Sequence, residues 1–211
     1  MQESSQKTWK VLIVDDEPEM HKVTVMVLNG YTFKGQSLEF ISAYSTDEAR
    51  AAIIKHPDIA IVLLDIIMEN ERSGLDLVEF IRNGCGNRRA RIILRTGLPE
   101  QVPETKVILE YDINDYKSKQ ELTYQKLFTS VTSALRTFIT ISTYESNAYE
   151  LEKEKELLAA TLRSIDDGVI VVDQKNSIAL MNNVAERFTG WKEEEARGKV
   201  FDSLFVILAR K

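Results

Sequence analysis

The sequence predicts a doubly wound α/β fold for most of its length: five parallel strands with helices on both faces, then a long helix and a partial α+β segment. Three observations lead there. Short apolar runs recur at Lys10–Val14, Ile59–Leu64 and Arg91–Arg95, each as long as one buried strand. Segments with helical patterning lie between them, and strand alternating with helix fits a parallel sheet with right-handed crossovers. The first two runs also end directly in carboxylates, Asp15 and Asp65.

In chain order, Lys10–Val14 is strand one. Asp15, Asp16 and Glu17 follow, and Pro18 suits the first turn of a helix over Met20–Leu28, whose positive end the acidic residues favour. Asn29–Gly35 reads as a loop. Leu38–Ala43 is strand two, nearer an edge. Ser45 and Glu48 form a capping box for a helix over Thr46–Lys55. Strand three ends at Asp65. A polar loop, Glu69–Ser73, leads into a helix to about Ile81 that Ser73 can cap. Arg91–Arg95 is strand four, with Thr96 and Gly97 at its end. Pro99 and Pro103 bracket a helix running through Glu110, and Ile113–Tyr116 is strand five.

From Thr123 the pattern is helical beyond the needs of one domain, and the charged stretch Glu145–Glu156 contains no Pro or Gly. A connecting helix that pairs with a partner and a solvated single helix both fit. Val169–Asp173 and Ile178–Met181 read as a hairpin, followed by helices from Asn182 to Phe188 and from Lys192 to Arg197, with a break at Gly190. The expected divisions are 1–138, with a core from about residue 10, then 139–163, then 164–211.

A hydrophobic fraction of 44% and a charged fraction of 28% in 211 residues are those of a soluble globular chain. The net charge of −6 gives no general attraction to nucleic acid or anionic membrane. Cys85 is the only cysteine, so no intrachain disulfide forms, which suits a reducing compartment. No signal core opens the chain, and no apolar run approaches the roughly 18 residues that span a bilayer. A cytoplasmic location is expected. His21 and His56 lack ligand spacing, and Arg88, Arg89 and Arg91 read as a solvated loop cluster.

Ligands of an open parallel sheet bind beyond the carboxyl ends of its strands, where the winding reverses. In the order 2-1-3-4-5 that point lies between strands one and three, which end in Asp15, Asp16 and Asp65. Strand four adds the Thr96 hydroxyl and strand five the Lys119 ammonium. Three carboxylates repel one another unless a hard cation is present, and oxygen ligands with room for water suit Mg²⁺. Asp65 is then placed to attack phosphorus and form an acyl phosphate, with Thr96 and Lys119 holding the equatorial oxygens.

This set, completed by Asp115-Tyr116-Lys117-Ser118-Lys119, resembles the receiver domain of two-component response regulators over roughly Lys10–Phe138. The resemblance implies a flavodoxin-like sheet and Asp65 as acceptor of a phosphoryl group from a histidine kinase or phosphotransfer protein. It also implies Mg²⁺ held by Asp16, Asp65 and the backbone carbonyl of Ile67, with Asp15 alongside or through water, and Thr96 and Tyr116 as the switch pair. Two positions depart from the family's pattern. Glu69 follows Met68 where a proline is usual nearby, and Gln120 follows Lys119 where a cis proline is usual. Lys117 is the alternative cation, and Lys119 is favoured by its spacing from Tyr116.

The stretch DGVIVVDQKNSIALMNNVAERFTGW, with Asp173, Asn182 and Phe188-Thr189-Gly190-Trp191, resembles the start of a PAS sensor domain without its last three strands. The connecting helix resembles a signalling helix, which implies an output beyond the sequence and a possible homodimer through the last receiver face and that helix. The receiver is not itself expected to be an enzyme beyond its phosphoacceptor chemistry. Two other functions are open. One is a Mg²⁺-dependent aspartyl phosphatase of the haloacid dehalogenase type, which wants a second aspartate two residues after the first, where Ile67 stands. The other is a pseudo-receiver that only binds proteins.

Overall fold

The computed structural model describes residues 8–70, 72–97, 111–119 and 123–204, and the chain divides into two compact units, Met1–Tyr144 and Glu145–Lys211. The first holds strands β1 (Trp9–Val14), β2 (Thr32–Phe33), β3 (Gln36–Ala43), β4 (Ile61–Asp65), β5 (Arg91–Thr96) and β6 (Asp115–Ser118) in one sheet of order β2-β3-β1-β4-β5-β6. Every neighbouring pair is parallel except β2 with β3. The expected order 2-1-3-4-5 is therefore present as β3-β1-β4-β5-β6.

The added strand β2 falls in the segment read as a loop. Lys34 and Gly35, with φ of 51° and 76°, make a two-residue turn between Phe33 and Gln36, which pair across it. Such turns need positive φ at both central residues and are usually marked by Asn-Gly or Asp-Gly; Lys-Gly hides one.

Residues alternate between the two faces of the pleat, and the core divides accordingly. Leu12, Val14, Val62, Leu64, Ile92 and Leu94 pack on one face with Ala49 and Ile53 of helix α2 (Thr46–Lys55) and Leu77 and Val78 of helix α3 (Ser73–Glu79). Val11, Ile13, Ile61, Leu63 and Ile93 face the other way, toward Leu127, Val131 and Leu135 of helix α4 (Tyr124–Ser164). Helix α1 (Pro18–Val27) begins at its proline, and Leu28 just beyond it joins this second cluster. All five residues of β4 are buried, as the central position in a covered sheet requires.

Local chemistry sets the helix ends. Ser45 Oγ accepts from Glu48 N at 3.2 Å, while Glu48 reaches back to the amide of Tyr44, one residue before the cap. Ser73 is the first residue of α3 rather than its cap; its hydroxyl accepts from Asn70 N at 2.8 Å. A π turn, Phe80–Gly84, closes α3 through a Cys85 N to Phe80 O bond of 2.8 Å. Arg91 begins β5 as expected of strand four, but it is buried rather than solvated, and its guanidinium donates to the carbonyls of Arg88 and Arg89. The helix expected between Pro99 and Glu110 lies outside the described residues, as does Gln120.

In the second unit, β7 (Ile170–Val172) and β8 (Ile178–Met181) form an antiparallel hairpin followed by helices α5 (Asn183–Thr189), α6 (Glu193–Ala196) and α7 (Phe201–Leu204). Asp173 Oδ1 accepts from the amides of Lys175 and Ser177 and so builds the turn. The buried Asn182 is the joint of this unit. Its Oδ1 accepts from Val169 N and Ala185 N, and its Nδ2 donates to Leu162 O of α4 and to Asp167 O. Gly190 ends α5 at φ 78°, the left-handed conformation that glycine adopts without strain. Among the described residues, no helix is long and apolar enough to cross a membrane.

Candidate functional site

Register brings the site together. Val14 of β1 lies opposite Leu64 of β4, so Asp15 and Asp65 emerge side by side. Asp65 pairs with Arg95 in β5, and Thr96 pairs with Ser118 in β6, which delivers Lys119 to the same rim. Lys119 Nζ lies 2.8 Å from Asp65 Oδ2, 2.8 Å from Glu17 Oε1 and 3.2 Å from Asp15 Oδ1. Lys117 instead pairs with Asp115 at 2.9 Å, so of the two lysines Lys119 is the one that reaches Asp65.

Carboxylate oxygens of Asp15, Asp16, Glu17 and Asp65 lie within 4.8 Å of one another. Asp16 and Glu17 are exposed, whereas Asp15 and Asp65 are buried. Burial pushes the Asp65 carboxyl above its ordinary range against the opposing pull of Lys119. The hydrogen bond and charge of Lys119 hold Glu17 below its ordinary range. For Lys119 itself, burial favours the neutral amine, yet its hydrogen bonds to Asp65 and Glu17 and the surrounding carboxylates win and raise its pKa. Thr96 is fully buried at the end of β5, and the Tyr116 ring is already turned inward among the core residues around Leu94 and Ile113.

Three participants escaped the sequence reading. Arg95, fully buried, places Nη2 3.3 Å from Asp15 Oδ2. A charged residue in the otherwise apolar run RIIL-R demands a partner, so the signal was there. Glu17, read as helix-end charge, is also a Lys119 partner. Gly74, at the start of α3, carries a close approach: its amide donates to Ile66 O at 3.0 Å, and a Cβ there would lie 2.3 Å from Asp65 O and 2.7 Å from Ile66 Cα. His21 is structural, its ring nitrogens contacting Asp15 O at 2.8 Å and Ser42 Oγ at 2.9 Å. Glu69, where proline is usual nearby, accepts from Thr46 N at 2.8 Å and thereby ties the loop after Asp65 to the start of α2.

The sequence signature of the response regulator receiver domain matches residues 11–132, more than half of the chain. The chain belongs to the response regulator receiver family. Its receiver is followed by a match to the PAS fold over residues 156–206, with α4 running between them. A 3'3'-cGAMP-specific phosphodiesterase 2 of Vibrio cholerae serotype O1 is 49% identical over 134 residues, 64% of this chain and 26% of that protein. The probable diguanylate cyclase DgcE of Escherichia coli K12 is 48% identical over 48 residues, 23% of this chain and 4% of that protein. The chain thus spans about a quarter of the first relative's length and far less of the second's. A receiver domain structure from Clostridium thermocellum superposes with a TM-score of 0.53 at 21% identity, covering 63% of this chain and 98% of that one, which supports the fold.

Receiver domains bind Mg²⁺ at an acidic site, and this donor set fits that ion: all oxygen, anionic, and open to solvent through Asp16 and Glu17. Gly74 supplies a test of how closely the site's backbone is determined. Gly74→Ala is expected to lower unfolding stability by about 1–3 kcal/mol in urea titrations, because the new methyl group displaces the Asp65–Ile66 backbone. An unchanged midpoint would show that this close approach is not needed.

Proposed function

We propose that this receiver takes a phosphoryl group from the phosphohistidine of a histidine kinase or phosphotransfer protein onto Asp65. An Asp65 oxygen attacks phosphorus, the P–N bond breaks, and its electron pair returns to the donor imidazole. The observation that carries this reading is the Asp65 carboxylate at the central strand end, 2.8 Å from Lys119 and within 4.8 Å of three further carboxylates. Lys119 neutralises an incoming phosphoryl oxygen and keeps Asp65 aimed. Thr96 supplies a hydroxyl at the neighbouring strand end, and with Tyr116 forms the proposed switch. Asp16, Asp65 and the Ile67 carbonyl would hold Mg²⁺, with Asp15 alongside or through water. The ion supplies charge neutralisation for the transferring group and for the carboxylates around it.

Acetyl phosphate with Mg²⁺ is expected to add one phosphoryl group to the wild-type chain, read by intact mass. None is expected in Asp65→Asn or when EDTA replaces the metal. Equal addition to Asp65→Asn would overturn the assignment.

We further propose the division 1–138, 139–163 and 164–211, with the receiver passing its state through α4 to the PAS-like segment, and a cytoplasmic location. Positions a and d of a heptad on α4 are Ile141, Tyr144, Ala148, Leu151, Lys155, Leu158 and Leu162. Tyr144, Leu151 and Leu158 are 75%, 54% and 58% exposed. A parallel homodimer covers this stripe, and Lys155 at a meets Glu154 of the second copy. Light scattering is expected to give twice the monomer mass; a monomer at tens of micromolar would refute the pairing.

The receiver alone is not catalytic. Both relatives above carry names of cyclic-dinucleotide enzymes, which supports an output of that class in the protein to which this chain belongs. Deleting its gene is then expected to change the cellular cyclic-dinucleotide pool, measured by mass spectrometry. An unaltered pool under phosphorylating conditions would count against this output.

A further inference from the structure

Arg95 is a charge inside the sheet that phosphoryl transfer onto Asp65 does not use. It stands in β5 on the same face as Ile93, toward α1, and is fully buried. Nη2 lies 3.3 Å from Asp15 Oδ2, and Nη1 donates to Thr24 Oγ1 at 2.9 Å. The Thr24 hydroxyl in turn donates to Met20 O at 2.6 Å. Among the described residues, Nε is buried without a hydrogen-bond partner. Removing a guanidinium from water costs several kcal/mol, and an apolar side chain of similar size often serves a fold as well or better. Stability alone therefore gives little reason for an arginine here.

The other oxygen of Asp15 is also engaged. Oδ1 accepts from Glu17 N at 3.1 Å and from Lys119 Nζ at 3.2 Å. Both oxygens of Asp15 are thus held by donors of the chain itself. Asp16 is exposed, and Asp65 Oδ1 has from the backbone only the long 3.4 Å contact of Ile67 N. Among the described residues, the four carboxylates face two cations, Lys119 and Arg95, a formal surplus of two negative charges, the charge of one divalent ion.

Resting on the reading of this cluster as a Mg²⁺ site, we infer that Arg95 is a positioning residue that sets the affinity of the site for divalent cations. It engages the Asp15 oxygen that Lys119 does not reach, which leaves direct coordination to Asp16 and Asp65. Its own positive charge also keeps the metal weakly held.

The sign of the effect separates this role from a merely structural one. Loss of a structural brace loosens the site and weakens metal binding, whereas loss of a restraining charge tightens it. In calorimetric titrations with Mg²⁺ alone, Arg95→Met is expected to bind about tenfold more tightly than wild type, as expected for removal of a unit charge several ångströms from the ion. Arg95→Lys keeps the charge and is expected to stay close to wild type. If Arg95→Met does not fold, Asp15→Asn/Arg95→Met compared with Asp15→Asn carries the same test without an unpaired buried carboxylate, and tighter binding in the double variant is expected. Equal or weaker Mg²⁺ binding on loss of Arg95 in folded protein overturns the inference. Wild type taking up no Mg²⁺ would instead refute the underlying site.

Discussion

The structure depends on how charge is tolerated at the end of an apolar sheet. Strands β4 and β5 are buried along their lengths and β1 over its last four residues, and β1 and β4 deliver carboxylates, Asp15 and Asp65, that are nearly or wholly sealed from solvent. A buried carboxylate without a partner would take up a proton or force the strands apart. Lys119 and Arg95 meet that requirement from two sides. Lys119 comes from the sheet edge over the rim, and Arg95 comes from within the sheet. The close approach of Gly74, the inward ring of Tyr116 and the contact of His21 with the Asp15 carbonyl all surround this meeting of unlike charges.

The same electrostatics explains why a receiver has little covalent machinery. Phosphoryl transfer asks a protein mainly to position and to neutralise. Here Asp65, the proposed acceptor, is held by an ammonium, while the accompanying carboxylates place oxygen donors on the solvent side. The sheet end provides a place where added negative charge is tolerated.

Much of this was legible in the sequence because parallel strands translate position in the chain into position on a rim. The apolar runs, the polar residues that follow them and the resemblance to receiver domains together led to the sheet order and to the expected convergence of Asp15, Asp16, Asp65, Thr96 and Lys119. What escaped has local physical reasons. Strand β2 is only two residues long and turns on Lys34-Gly35, which lacks the usual hairpin signature. The π turn at Phe80–Gly84 has no periodicity of its own to betray it. Arginine is usually a surface residue, yet the places of Arg91 and Arg95 in strand four call for burial with partners, as the structure shows. The helical pattern from Thr123 gave no phase for a heptad, which follows once the helix is known to run unbroken from Tyr124 to Ser164.

The four hydrogen bonds of Asn182 give the second unit a mechanical property. One amide group clamps the Leu162 carbonyl in the last turn of the long helix, the amide that begins the hairpin, and the first turn of α5. With its donors and acceptor all engaged, this one side chain bridges the irregular residues between Ser164 and Ile170, so the helix end, the hairpin and α5 cannot part without breaking one of its bonds.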